Sequence, residues 1–420
     1  MLDYIDLKYK PSPDDVICEY YVEPNKVSIH EAAENIAGES SIGTWTNIST
    51  MNPRIAKKLK PNVFSINGNY IKIAYPADLF EYDNIPQILS SIAGNIYGMK
   101  ILNNLRLEDI SFPKKIVDKF KGPRFGIQGV REILKVKNRP LVGTIVKPKV
   151  GLDHKEHAQV AKHAWIGGCD IVKDDENLTD QKFNRFRDRV IYTLNARNKA
   201  EDMTGEKKVY MPNITAETEE MIRRAEFVKQ HGGKYIMIDI LTAGWSAVQT
   251  IRNLNLGLVI HAHRAMHGAL TRNPKHGMSM LTISKLARLA GVDQLHIGTV
   301  VGKMEGSKEE VMGCETAIEE RVAQPNKKIH ALEQRWWGLK PVFAVCSGGL
   351  HPGHVPSLIK IMGKNIIIQM GGGIHGHPQG TIKGAMAARQ AVDAVMQNRD
   401  LTIYAKHYDE LNSALKKWSK

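Results

Sequence analysis

From Pro140 onward, short apolar runs alternate with longer stretches whose apolar residues recur every three or four positions. The runs are 141–146, 170–173, 209–214, 235–241, 258–262, 294–297, 342–346 and 366–370. Short apolar runs between turn formers read as buried strands, and three-and-four spacing, as in 154–166 and 217–230, reads as helices with one apolar face. Eight strand–helix pairs over roughly 280 residues predict a (β/α)8 TIM barrel. A doubly wound open sheet is the alternative, but no GxGxxG fingerprint follows the first strand. Residues before the barrel differ. Strand-like runs at 16–22 and 70–75 and helical patterns at 29–37 and 86–95 predict a small α+β, ferredoxin-like domain. The Pro/Gly-containing stretch 120–126 marks the junction, giving domains of 1–122 and 123–420.

Composition narrows the class. The chain has 420 residues, 42% hydrophobic, which suits a soluble globular protein of two domains. No apolar run reaches membrane-spanning length, and Met1-Leu2-Asp3-Tyr4-Ile5-Asp6 lacks the basic and apolar regions of a signal peptide. The expectation is a cytoplasmic protein without membrane contact. Cys18, Cys169, Cys314 and Cys346 are scattered and read as reduced, packed thiols. The net charge of +14 admits a nucleic-acid partner or a small, highly charged anion. The basic residues are spread along the chain without a basic tail, so nucleic acid is not expected.

Barrel enzymes carry their chemistry at the C-terminal ends of the strands. Here those ends hold Lys147 and Lys149, then Lys173-Asp174-Asp175-Glu176, Asn213, Asp239, His261 with His263 and Arg264, His296 with Thr299, Ser347-Gly348-Gly349, and Gln369-Met370-Gly371-Gly372-Gly373. One polar strand end is ordinary solvation; eight of eight point to an enzyme. Side chains alternate along a strand, so Lys173 and Asp175 share a face. Asp175 and Glu176 supply oxygen donors for a hard cation such as Mg²⁺. A buried lysine beside them can lose its proton, and a neutral amine can add CO2 to become a carbamate. The glycines after the last two strands offer N–H groups to an anion. Arg264 and His296 can hold a second phosphate, so two anion sites imply a bisphosphate. His263 is a candidate acid or base. Lys303, between Gly302 and Gly306, sits on a loop able to close as a lid.

Together these residues resemble the large chain of ribulose-1,5-bisphosphate carboxylase/oxygenase, of the archaeal type. The resemblance runs from about Gly38 to Arg389. It rests on 38–46 (GESSIGTWT), 94–98 (GNIYG), 147–151 (KPKVG), 167–177 (GGCDIVKDDEN), 261–267 (HAHRAMH), 296–306 (HIGTVVGKMEG), 347–349 (SGG) and 369–373 (QMGGG). It implies that Lys173 is carbamylated by an activator CO2 and, with Asp175 and Glu176, holds Mg²⁺. The carbamate takes the substrate's C3 proton to form an enediolate. Lys147 handles proton transfer, Lys149 and His263 support enolisation and hydration, and Lys303 stabilises the carboxylate formed from CO2. Thr44, Trp45, Gly349, Gly371 and Gly372 bind one phosphate; Arg264, His296 and Ser347 bind the other; Gly348 and Gln369 line the substrate. Glu39 and Asn95 reach in from the small domain of a neighbouring subunit. The implied substrates are ribulose 1,5-bisphosphate with CO2 or competing O2, and carboxylation gives two 3-phosphoglycerates, in nucleotide (AMP) salvage. A homodimer or ring of dimers, without a small subunit, is expected.

Three features depart from plant-type chains: Gly143-Thr144-Ile145-Val146-Lys147 stands where they have a Cys-Thr-Ile order before the lysine, Leu350-His351-Pro352-Gly353-His354 replaces an aromatic-containing stretch, and the sequence stops soon after the last barrel helix. One rival is a carboxylase-like protein that enolises or isomerises a related sugar phosphate without fixing CO2. Such proteins usually lose several of the positions Glu39, Asn95, Lys147, His263 and Lys303, and this sequence keeps all five. The other rival, a basic RNA-binding module, predicts an aromatic-studded surface that the sparse aromatics do not supply.

Overall fold

The computed structural model describes residues 3–44, 46, 48–302 and 307–418. By its internal contacts the chain forms two compact units: Met1–Gly122 with Met266–Ala290 and Thr316–Leu339, and Pro123–Ala265 with Gly291–Glu315 and Lys340–Lys420.

The first unit is built on a mixed sheet. Strand β1 (Asp15–Pro24) pairs antiparallel with both β3 (Tyr70–Pro76) and β4 (Leu102–Ser111), β2 (Asn62–Asn67) adds to β3, and Gly277–Met278 runs parallel to β4. The helix Met280–Ala290 is buried from Leu281 to its end. Its Lys285 would be an uncompensated charge there. Nζ instead lies 2.5 Å from Asp109 Oδ2 and donates to the carbonyls of Ile110 and Leu332.

The second unit is the barrel. Its strands are β5 (Leu141–Ile145), β6 (Ile171–Lys173), β7 (Val209–Met211), β8 (Tyr235–Asp239), β9 (Val259–His263), β10 (Gln294–Gly298), β11 (Phe343–Ser347) and β12 (Ile366–Gln369). They pair in parallel in the order β7-β6-β5-β12-β11-β10-β9-β8. The two ends meet through a bridge between Asn213 and Met237, where Ile214 donates to the Met237 carbonyl and Met237 to that of Pro212. Each of the eight apolar runs therefore holds one strand. Two, β7 and β8, are shorter than their runs by two or more residues, for local reasons. Pro212 has no N–H to continue β7. After Asp239 the chain turns at once into the helix Ile240–Ala243. The helix His154–Ile166 starts where Asp153 and Glu156 cap each other's backbone N–H groups.

Strand alternation sorts the barrel interior into levels. The first inward positions are Leu141, Ile171, Val209, Tyr235, Val259, Phe343 and Ile367, with Gln294 as the one amide among them. The seven pack into one core with Ile127, Val130 and Leu134 of the helix Gly126–Leu134. Asp293, just ahead of β10, pins that helix by accepting from the N–H groups of Phe125 (2.6 Å), Gly126 (3.0 Å) and Ile260 (3.0 Å). The N-terminal end of the barrel is thus closed by apolar packing. Two residues further along, four of the eight strands turn polar, with Lys173, His261, His296 and Gln369, while Met211, Met237 and Val345 continue the apolar core. Among the described residues no helix is long and apolar enough to cross a membrane.

Between β5 and β6 the buried Asp170 accepts two hydrogen bonds from Arg139, at 2.7 and 2.8 Å, and one from the N–H of Val142. Burial opposes its ionisation, but Arg139 outweighs burial and holds its pKa below the ordinary value. A carboxylate with a depressed folded pKa stabilises the fold above its unfolded pKa and stops doing so as pH falls through the folded one. Asp170→Asn should therefore lower unfolding free energy by about 3 kcal/mol at neutral pH, as expected for a broken buried pair. That deficit should shrink as pH drops through the carboxylate range, measured by denaturant titration across pH. A deficit independent of pH would mean that the charge of Asp170 is not what stabilises this corner.

Candidate active site

The end of β6 carries the centre of the site. Lys173 is 1% exposed, and its Nζ donates to the Asp174 carbonyl at 2.9 Å and lies 3.6 Å from Glu176 Oε2. Burial pulls its pKa down, against the opposing pull of Glu176, Asp175 and Asp239. Asp175 faces the same side, where Lys147 donates to its Oδ2 at 2.6 Å. Glu176 is only partly buried, and Oε2 stands 3.7 Å from His263 Nε2 while Oε1 stands 4.0 Å from Lys149 Nζ. Burial alone would raise the Glu176 carboxyl; Lys173 and then His263 overcome it and hold the pKa at about 2. Lys147, Lys149, Lys173, Asp175, Glu176 and His263 thus form one connected group.

Asp174 explains how this group is held open. Its side chain points the other way and is fully buried. It accepts from Arg189 Nε (3.0 Å), the Tyr210 hydroxyl (2.7 Å) and the N–H of Asn213 (2.9 Å). Burial opposes its charge, yet Arg189, with His157 and Tyr210, keeps it ionised far below the usual range. A carboxylate locked on the outer face fixes its two neighbours on the inner one.

The group suits a hard divalent cation in part. Among the described residues no three His, Cys, Asp or Glu side chains are grouped to hold a metal ion. Asp175 and Glu176 offer two oxygen donors, and Lys173, buried near them with a lowered pKa, is the residue that a carbamate would turn into a third.

Around this centre lie the anion-binding candidates. His296 Nδ1 is 2.8 Å from Ser347 Oγ. Arg264 is mostly buried and leans over Gly298, where a Cβ would come within 2.9 Å of its guanidinium at a φ of +96°. Gly371 packs against Lys147, its would-be Cβ 3.3 Å from Cε. Gln369 is 1% exposed, and neither amide atom has a hydrogen-bond partner. The loops bearing Gly348-Gly349 and Gly371-Gly372 interlock. A Cβ on Gly373 would lie 2.2 Å from the Leu350 carbonyl, so only glycine fits. Behind them Thr144 donates to the Met370 carbonyl (2.7 Å), and the C-terminal helix Asp409–Trp418 stacks Trp418 on His351 while Lys417 donates to the Gly376 carbonyl.

Three expected site residues, Glu39, Thr44 and Asn95, belong to the first compact unit and are described there by themselves. Glu39 ends the helix Ile29–Glu39, while Thr44 and Asn95 are exposed. Trp45 and Lys303 lie outside the described residues. Residue-type reasoning placed Asp239 and His261 at strand ends without giving them a task. In the structure Asp239 Oδ1 stands 2.7 Å from His263 Nδ1, which turns Nε2 of that ring toward Glu176. The same-face spacing of His261 and His263 was the available signal for the first. For Asp239 nothing local distinguished a partner from a solvated strand end.

Comparison with known proteins gives a consistent picture. Residues 3–116 match the family described as ribulose bisphosphate carboxylase large chain, N-terminal domain, and residues 126–418 match its catalytic domain. The chain is 53% identical to the ribulose bisphosphate carboxylase of Methanosarcina mazei, covering 100% of this chain and 99% of that one. It is 51% identical to that of Methanocaldococcus jannaschii over 99% and 100% of the two. Among solved structures it resembles the dimeric archaeal Rubisco from Hyperthermus butylicus, with a TM-score of 0.94, 47% identity and coverage of 99% and 98%. It also resembles the octameric enzyme from Pyrococcus horikoshii, with a TM-score of 0.93, 48% identity and coverage of 99% and 96%.

The Asp239–His263 bond carries a test. In that family's reaction, followed with labelled bicarbonate, Asp239→Ala should lower kcat by about ten- to a hundredfold, the usual scale for losing the partner that orients a functional imidazole. His263→Ala combined with Asp239→Ala should be no slower than His263→Ala alone. Additive losses would show that Asp239 acts independently of the ring.

Proposed function

The chain belongs to the ribulose bisphosphate carboxylase large-chain family, and from that premise we propose how its residues divide the reaction. The observation that carries the reading is a buried lysine, Lys173, beside Glu176 and in the field of Asp175 at the polar end of a barrel whose other end is sealed. CO2 adds to its neutral amine with release of one proton, so a neutral side chain becomes an anionic carbamate. Mg²⁺ held by that carbamate, Asp175 and Glu176 would supply charge to the oxygens of the enediolate. Lys173, so modified, takes the C3 proton of ribulose 1,5-bisphosphate. Lys147, now bonded to Asp175, returns a proton to the cleaved product. His263, oriented by Asp239, serves hydration together with Lys149. Arg264, His296 and Ser347 take one phosphate; Gly349, Gly371 and Gly372, with Thr44 and Trp45, take the other; Gly348 and Gln369 line the sugar between them. Lys303 closes over the CO2 adduct. The products are two 3-phosphoglycerates, O2 competes with CO2, and the place of the reaction is nucleotide salvage in the cytoplasm.

We propose a domain boundary at 122/123, which the matched spans 3–116 and 126–418 support. The working unit is a homodimer or ring of dimers in which Glu39 and Asn95 complete the partner's site. The dimeric and octameric assemblies of the similar structures support this.

Activation tests the first assignment. Enzyme stripped of CO2 and Mg²⁺ should show a lag in carboxylation of ribulose bisphosphate that preincubation with both abolishes, and Lys173→Ala should not activate. Full initial velocity in the stripped enzyme would rule out the carbamate. Shared sites have their own test. Co-expressed Lys173→Ala and Glu39→Ala chains, carrying different tags and isolated as hybrids, should regain activity at one of the two sites of each dimer, since one site combines two intact halves. Hybrids as inactive as both parents would place Glu39 in its own chain's site.

A further inference from the structure

A line of hydrogen bonds climbs the inside of the barrel from the apolar floor to the mouth. Gln294, the one amide at the floor level, is fully buried and places Oε1 2.8 Å from His261 Nδ1. His261 Nε2 is 2.9 Å from His296 Nε2, and His296 Nδ1 is 2.8 Å from Ser347 Oγ. Burial drives both imidazoles toward neutrality, His261 to about 3 and His296 well below its ordinary value. Each ring then carries one proton for two hydrogen bonds, so the whole line has a direction.

Two directions satisfy every link. With Gln294 accepting from His261 Nδ1–H, His261 Nε2 accepts from His296, and His296 Nδ1 accepts the hydroxyl proton of Ser347. Ser347 then offers only lone pairs to the mouth. With the amide turned over, Gln294 donates to His261, His261 to His296, and His296 to Ser347, whose own proton is released outward. Gln294 Nε2 has no partner in the structure. The amide therefore has no second bond holding it in either sense, and exchanging its ends moves no other heavy atom.

We propose that Gln294, through His261, is a positioning residue that sets the proton direction of His296 and Ser347, turning the Ser347 hydroxyl into a donor when an anionic group of the substrate arrives. The proposal rests on the assignment of Ser347 and His296 to a phosphate of the substrate. It gives a purpose to a polar side chain on a floor otherwise made of aliphatic and aromatic ones, where burying an unpaired amide N–H is unfavourable. It also couples the floor of the barrel to the mouth without any contact between Gln294 and substrate.

Gln294→Met removes both amide ends at similar volume and leaves His261 Nδ1 unpartnered. The KM for ribulose bisphosphate should rise roughly tenfold, the scale of one hydrogen bond to a charged group, with kcat within about twofold. Gln294→His, able to donate or accept, should restore most of the affinity. Competitive inhibition by inorganic phosphate should weaken in parallel. In a Ser347→Ala background Gln294→Met should add nothing further, because its effect passes through that hydroxyl. The same loss from Gln294→Met in both backgrounds, or an unchanged KM, overturns the proposal. If Ser347→Ala itself leaves KM and phosphate inhibition unchanged, the phosphate assignment falls and the proposal with it. Carboxylation by the unaltered enzyme stays as the separate check on the family's reaction.

Discussion

The carboxylate of Asp174 is bonded on the outer side of the barrel by Arg189, Tyr210 and the backbone of Asn213, and almost everything at the mouth follows from where that places its neighbours. A strand admits only two sides. Committing Asp174 outward commits Lys173 and Asp175 inward, and a slip of one residue would exchange them. The outer bonds belong to the helix Phe186–Thr204 and to the end of β7, so the position of Lys173 is set by packing on the far side of the sheet. The lowered pKa of Lys173 is in this sense a property of the scaffold, since its burial and the fixed acids around it arise from that same commitment.

The barrel interior shows how a protein keeps a charged site and a stable core in one small volume. Apolar side chains fill the floor, where they pack with the helix Gly126–Leu134. Apart from Gln294, polar ones appear above that floor, where side chains of neighbouring strands pair. The pairing is economical. Lys147 meets Asp175, His263 meets Asp239, and Glu176 stands within 4.0 Å of Lys149, Lys173 and His263. On the proposed assignment these groups are also those with most to rearrange when a bisphosphate and a cation enter, and the exchangeable ion pairs would then hold the cation's place.

Much of this was legible in the sequence because the barrel writes itself twice, in the apolar runs and in the polar residues that end them. Lys173 and Asp175 could be grouped from strand alternation, Glu176 as a second carboxylate at the same strand end, and His263 from its place on the fifth run. Other features carry no local mark. Gln294 reads as an ordinary polar residue opening a strand until its neighbours across the sheet are known, and Asp239 as a solvated strand end. The segments Met266–Ala290 and Thr316–Leu339 group by contacts with the first unit, though their helical and strand patterns resemble those around them. Such preferences arise from tertiary contacts, and periodicity reports only which face of an element is apolar.

The interlocking of the loops after β11 and β12 has a consequence for how this mouth can change. With Gly373 pressed against the Leu350 carbonyl and Gly302 against that of Gly348, three successive loops share backbone surfaces with no side chain between them. None can lengthen or accept a bulkier residue at these points without displacing another. Variation in this region is therefore constrained to be concerted: the loops form a single inheritable module, to be transplanted between scaffolds together or not at all.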